Sequence, residues 1–199
     1  MAAFGAKYIN FAPITEEPKG SLPVYGERVK IGELVKADLT VNISTGELYA
    51  DNRLKEKADE FISGSLAVEV DDMTKEIEAG VYGATYKEGE IIDNSEDNVP
   101  YGGLGYYKTL QRDGARVYEA YYYPKVKAVL GTDSAATKGS SITFTTKALT
   151  FTVHEPDTGD WRYRKEFSDE AEAAAYVDGK LGNAPEGAEN QRAGQEETV

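Results

Sequence analysis

ADLTVNISTGELYADNRLKEKADEFISGSLAVEV, residues 37–70, holds two runs of strict alternation on either side of a charged segment. In the first run Ala37, Leu39, Val41 and Ile43 alternate with Asp38, Thr40, Asn42 and Ser44. In the second, Ile62, Leu66, Val68 and Val70 fall on one parity, and Ser63, Ser65, Ala67 and Glu69 on the other. Successive strand residues point to opposite faces, so each run predicts a half-buried β-strand with one apolar face and one face of short polar groups. Between them, GELYADNRLKEKADEF (residues 46–61) gathers Arg53, Lys55, Glu56, Lys57, Asp59 and Glu60 into one insert, and charge-rich segments between strands are ordinarily solvated loops.

Working outward, residues 8–14 predict a first strand and residues 25–35 a second extended segment. Asp71-Asp72 before MTKEIEAG predicts a short helix over residues 72–80, capped by the aspartates, stopped by Gly80, and burying Met73 and Ile77. Residues 83–92 read as two short strands around Glu88-Gly89. GLGYYKTLQRDGARVYEAYYYPKVKAVL gives the strongest hairpin signal, two strands joined at Arg112-Asp113-Gly114. SSITFTTKALTFTV, residues 140–153, reads as one long strand or two broken near Ala148, and WRYRKEF as another after a turn. Ser168-Asp169-Glu170 starts a helix over residues 168–178, ended near Gly179. The expected architecture is mainly β: an antiparallel β-sandwich or small barrel over residues 1–181, with a flanking short helix, a long loop or arm at residues 46–61, and a disordered tail over residues 182–199.

The chain has 199 residues, 20 of them glycine and 14 tyrosine, with no cysteine, so disulfides and thiolate chemistry are excluded. The N-terminal MAAFGAKYINFAPITEEPKG has no basic segment followed by an apolar run, and no window approaches a membrane span. The expectation is a soluble protein made without a signal peptide. A net charge of -13 argues against nucleic-acid binding over an open surface, because phosphate contact needs clustered Lys and Arg.

Candidate chemistry is sparse. His154, the one histidine, has no Ser and Asp partners in a nucleophile setting. DNSEDN, residues 93–98, resembles the start of a calcium loop but has Asn98 where the loop needs glycine, and reads as a solvated acidic turn. Gly102-Gly103-Leu104-Gly105 leads into Tyr106-Tyr107-Lys108 and not a helix, so it reads as a turn or interface loop and not as a phosphate cradle. Tyr106, Tyr107, Tyr118, Tyr121, Tyr122 and Tyr123 could stack on sugar rings, as in a carbohydrate- or receptor-binding β module, or fill a core or subunit contact. No carboxylate pair stands out as catalytic; no enzyme activity and no metal or other cofactor is expected.

Five segments in order, AKYINFAPIT, GELYADNRLKE, DDMTKEIEAGVYGATY, GLGYYKTLQRDGARVYEAYYYPKVKAV and KGSSITFTTKALTFTV, together resemble the major tail proteins of long-tailed bacteriophages, the tail tube subunits of siphophages. The likeness runs over about residues 6–167. It implies a virion structural protein, assembled in the host cytoplasm as hexameric rings that stack into a hollow tube, with the tape measure, tail terminator and distal tail proteins as partners. Double-stranded DNA would pass through the bore without specific binding, and no membrane is involved. The tube of a contractile injection or secretion system is the alternative with the same fold.

The resemblance also implies an arm between early strands that contacts neighbouring subunits. Leu48, Tyr49, Asp51, Arg53, Leu54, Lys55, Glu56, Lys57, Asp59 and Glu60 match that position, with Leu48, Tyr49 and Leu54 as apolar anchors and the charges setting register. Asp38, Thr40, Asn42, Ser63, Ser65 and Glu69 would line the bore. There two like charges about 8 Å apart in water repel by roughly 0.5 kcal/mol, so a net-negative wall would repel DNA gently where clustered lysines would hold it.

Overall fold

A computed structural model describes residues 2–50, 53–112, 114–131 and 146–182. It is mainly β, with antiparallel pairing throughout and two short helices. The strands are β1 (Ala2–Glu16), β2 (Val24–Tyr25), β3 (Val29–Gly32), β4 (Leu34–Ala50), β5 (Arg53–Val70), β6 (Thr85–Lys87), β7 (Glu90–Ile92), β8 (Tyr101–Arg112), β9 (Ala115–Val129), β10 (Lys147–Val153) and β11 (Tyr163–Phe167); the helices are α1 (Lys75–Tyr82) and α2 (Glu170–Lys180). The large sheet runs β2-β1-β8-β9-β10-β5-β4, with β3 also on β1 and β11 on the first half of β9, while β6 and β7 form a separate hairpin.

The sheet curls until its two ends share one core. In a flat ladder β1 and β10, three steps apart, would stand about 14 Å from each other, yet the Phe11 and Phe151 rings are 6.1 Å apart, centroid to centroid. Around them pack Ile9, Leu104, Tyr106, Tyr123, Val126, Leu66 and Val68, all buried. The corner between β3 and β4 is latched to the end of β5: Asp71 N–H donates to Glu33 O (3.0 Å), and Glu33 N–H to Asp71 Oδ1 (2.8 Å). The backbone N–H groups of Glu33 and then Asp72 hold the Asp71 carboxyl below its ordinary value.

Asp71 is therefore not the cap of α1. Thr74 is, its hydroxyl accepting from Ile77 N–H, and the helix continues through Gly80 to end at Gly83, whose φ of 73° is the left-handed geometry that glycine favours. Met73 is buried as expected, but Ala79 and Val81 carry the helix's buried face and Ile77 is only half-buried. Similarly α2 runs through Gly179 to Lys180, because Leu181 must reach a fully buried site. Docking outweighs the roughly 1 kcal/mol that a glycine costs inside a helix. Ala148 does not break β10; residues 140–145 of that expected strand, and the tail from residue 183, lie outside the described residues.

A second core lies on the other face of β1, β8 and β9, where α2 lays Ala173, Val177 and Leu181 on Ala12, Tyr107, Tyr118, Ala120 and Tyr122. This explains the glycine run, which is neither cradle nor turn but the interior of a buried strand. A Cβ on Gly105 would stand 2.7 Å from Val177 Cγ1, and one on Gly103 2.7 Å from both Leu181 Cδ2 and Tyr25 Cε1. Gly105→Ala is expected to cost about 1–3 kcal/mol, since β-branched Val177 cannot swing aside. Urea unfolding measures this, and adding Val177→Ala should return part of the loss.

The tyrosines are structural. Tyr106, Tyr122 and Tyr123 are fully buried, the Tyr25 and Tyr122 hydroxyls are hydrogen-bonded to each other, and Tyr25 Oη donates to Pro124 O at 2.7 Å. Burial is the first cause that raises the phenols of Tyr25, Tyr106, Tyr122 and Tyr123 above their ordinary 10.0. An unfolded chain ionises these groups near 10.0 while the fold keeps them neutral, so stability is complete below that pH and falls as pH rises through it. Alkaline titration should show one portion of the tyrosinate absorbance appearing only together with loss of fold; ionisation of all the tyrosines before unfolding would contradict it.

Candidate assembly surface

Residues 46–50 and 53–61 are strand and not loop. β4 and β5 stay paired from Ala37↔Val68 out to Ala50↔Arg53, so the charged insert belongs to the distal half of one long β-hairpin. Beyond Ser44↔Glu60 it leaves the core, and its residues are exposed wherever their side chains are described. At about 3.4 Å per residue, this projection reaches roughly 20 Å past the sandwich.

Three bulges interrupt the ladder, between Leu34 and Lys36, Asn42 and Ile43, and Leu48 and Tyr49. The second leaves Ile62 as an extra residue and returns Phe61 to the core side, where its ring stacks on Trp161 at 4.3 Å. Ile62, counted above with the apolar parity, is therefore 59% exposed; Ile43 is 56% and Leu48 54% exposed. Ile43 and Ile62 are exposed apolar side chains that strict alternation places on the buried face. Asp51 and the side chains of Tyr49 and Leu54 lie outside what the structure describes.

Part of the arm's charge is used internally: Thr45 Oγ1 donates to Asp59 Oδ1 (2.8 Å), with Lys57 Nζ 3.7 Å from the same oxygen. Arg53, Lys55, Glu56 and Glu60 make no ion pair among the described residues and are exposed. They are the charges left for another surface.

Asp38, Thr40, Asn42, Ser63, Ser65 and Glu69 do come together. Residues directly opposite in an antiparallel ladder share a face, and Thr40↔Ser65 and Asn42↔Ser63 are such pairs, the second joined by Asn42 Nδ2–H donating to Ser63 Oγ at 3.1 Å. The face continues across the sheet: Ser65↔Thr152, Thr152↔Lys127 and Lys127↔Tyr101 put Thr40, Ser65, Thr152, Lys127 and Tyr101 in one row over five strands. Charges of both signs stand on this face, and Lys125 is itself paired with Glu17. Lys36 lies opposite Glu69 with Nζ 2.5 Å from Asp38 Oδ2, and Lys125 and Lys127 hold the β9 end.

Elsewhere, the acidic turn closes on itself, Asn94 N–H donating to Asp97 Oδ2 at 2.7 Å. His154 follows β10 with its ring edge-on to Tyr101. No described helix is long and apolar enough to cross a membrane. No protein-family model matches the chain, and no curated protein matches it.

Proposed function

We propose that the protein is a virion structural protein without catalytic activity, a tail tube subunit that closes into hexameric rings and stacks them into a conduit for double-stranded DNA. The observation that carries this is β4: a 17-residue strand at the end of the sheet, hydrogen-bonded only to β5 among the described strands, and running on into a projecting hairpin. A long open edge with exposed Ile43 and Leu48 would template aggregation in a monomer, and pairing in a closed ring removes that hazard. The hairpin supplies the second contact, from ring to ring, with unpaired charges of both signs beside apolar side chains. Stable contacts bury roughly 1,600 Å² in total, and a stacking subunit makes several.

The ordered resemblance to siphophage tail tube subunits supports the same reading, and with it a place in the virion tail beside the tape measure, terminator and distal tail proteins. The sugar-stacking alternative needs open tyrosine faces, whereas the tyrosines at 106, 122 and 123 are core. Negative-stain microscopy of the purified protein with a sizing profile tests the proposal. Rings or tubes of uniform width are expected, and a monomer that persists at high concentration overturns it. A gene for a contractile sheath beside this one would move the assignment to a contractile system.

A further inference from the structure

We infer that the recess between α1, the β6–β7 hairpin and the end of β9 is the seat for the arm of a second copy of this chain, in head-to-tail contact. The choice of a stacked copy as occupant rests on the tube reading; the recess and its charges stand on the fold alone. The recess holds about 330 Å³ and is lined by Tyr82, Ile91, Asp93 and Leu130, with Glu78 and Lys147, whose charged ends are 2.6 Å apart. Leu130 is 69% exposed, the most exposed large apolar side chain among the described residues. Tyr86, the cross-strand partner of Ile91 and so on the same face, is exposed beside it. The recess beside Lys125 differs: Glu17, Lys19, Glu155 and Asp157 line it, and of its residues Pro156 alone is apolar.

Position and charge select the arm as occupant. Lys147↔Val70 and Leu34↔Val70 put the recess at one end of the β4–β5 ladder, and the arm leaves at the other, where Ala50 pairs with Arg53. At about 3.4 Å per residue the two are roughly 55 Å apart along the strands, so no chain seats its own arm. A contact between unlike patches at opposite ends of a protomer does not close on itself and repeats along an axis. Around the recess, residues 85–98 carry Glu88, Glu90, Asp93, Glu96 and Asp97 against Lys87. The return strand of the arm carries Arg53, Lys55 and Lys57 against Glu56, beside the exposed Leu48. Opposite-sign rims around an apolar contact favour arm in recess, and like signs disfavour recess on recess.

The chain has no cysteine, which makes thiol cross-linking a clean test. Leu48→Cys and Leu130→Cys are made in separate full-length chains, mixed, and treated with a short bis-maleimide. A mixed dimer is expected, with neither variant linking to itself, and a chain carrying both changes should give a ladder of oligomers. Leu130→Cys linking to itself would mean that recess meets recess, and overturns the inference. Tubes without a mixed product sink this seat and leave the tube standing; a mixed product from chains that never form rings keeps the contact and removes the tube. Charge gives an independent readout. Glu90→Lys with Asp93→Lys, both exposed, should leave the urea midpoint in place and raise the protein concentration at which tubes appear by about tenfold or more. Adding Arg53→Glu with Lys55→Glu should bring that concentration back down, and a failure of this rescue overturns the pairing.

Discussion

Replacing residues 47–57 by Asn-Gly is expected to yield a folded protomer that forms no tube. The cut is matched to the ladder: Gly46 and Ala58 are cross-strand partners, and a two-residue Asn-Gly turn closes such a pair with the twist that strands require. A one-sided deletion of residues 52–59 would strip β4 of its partner and confound loss of contact with loss of fold. The shortened chain keeps the Phe61–Trp161 stack and every residue of both cores. Its urea midpoint should therefore stay near that of the parent, because the excised residues whose side chains are described are exposed. Assembly depends on what is lost: Leu48 and the charges at positions 53, 55 and 56. If the arm joins rings, microscopy shows single rings or protomers at concentrations where the parent makes tubes. Tubes of normal length from the shortened chain would reject the arm. Reversing charge on the intact hairpin, with Arg53→Glu and Lys55→Glu together, is the milder companion and should shift assembly towards higher salt, where repulsion is screened.

That the arm is a hairpin was not legible in the sequence, for a physical reason. Alternation reports which side of a strand is buried; it does not report the strand. Residues 37–41 and 63–70 alternate because one side packs into the core that holds Phe151 and Leu149, and their strands are read correctly. Past Ser44 both sides of the ladder meet water, so the pattern vanishes while the backbone pairing continues. Ile62 fails for a related reason, since a bulge shifts parity and a bulge has no residue signature here. The helix ends were misplaced at Gly80 and Gly179 because a glycine stops a helix only where the chain needs a left-handed turn, as at Gly83. The sheet face was half legible: its β4 and β5 residues share a visible parity, but Thr152, Lys127 and Tyr101 join them only through strand order.

Asp178→Ala is expected to cost about 3–5 kcal/mol, the penalty for stranding the partner of a buried ion pair. Asp178 is 8% exposed on the last turn of α2, and its carboxylate takes two loads. The Arg28 guanidinium lies against it, and Tyr8 Oη donates to both of its oxygens at 3.0 Å. Tyr8 has a φ of 63°, a left-handed backbone at a bulge of β1 where glycine would be the unstrained residue. The carboxylate thus holds a strained strand residue and a part-buried cation at once, and fastens the helix that covers Tyr118 and Tyr122. At the helix's other end Glu170 accepts from Tyr107 Oη (2.7 Å) and Lys7 Nζ (3.1 Å), an exposed contact that cannot replace the buried one. Unfolding in urea should show the loss, with amide exchange quickened first along α2. The control separates a pairing role from a merely steric one: Arg28→Met with Asp178→Leu removes both charges and keeps the volume, and should recover most of the stability. A single Asp178→Ala change costing under about 1 kcal/mol would mean that burial of Val177 and Leu181 alone holds the helix, as their full transfer from water, worth about 1.5–3 kcal/mol each, could in principle do.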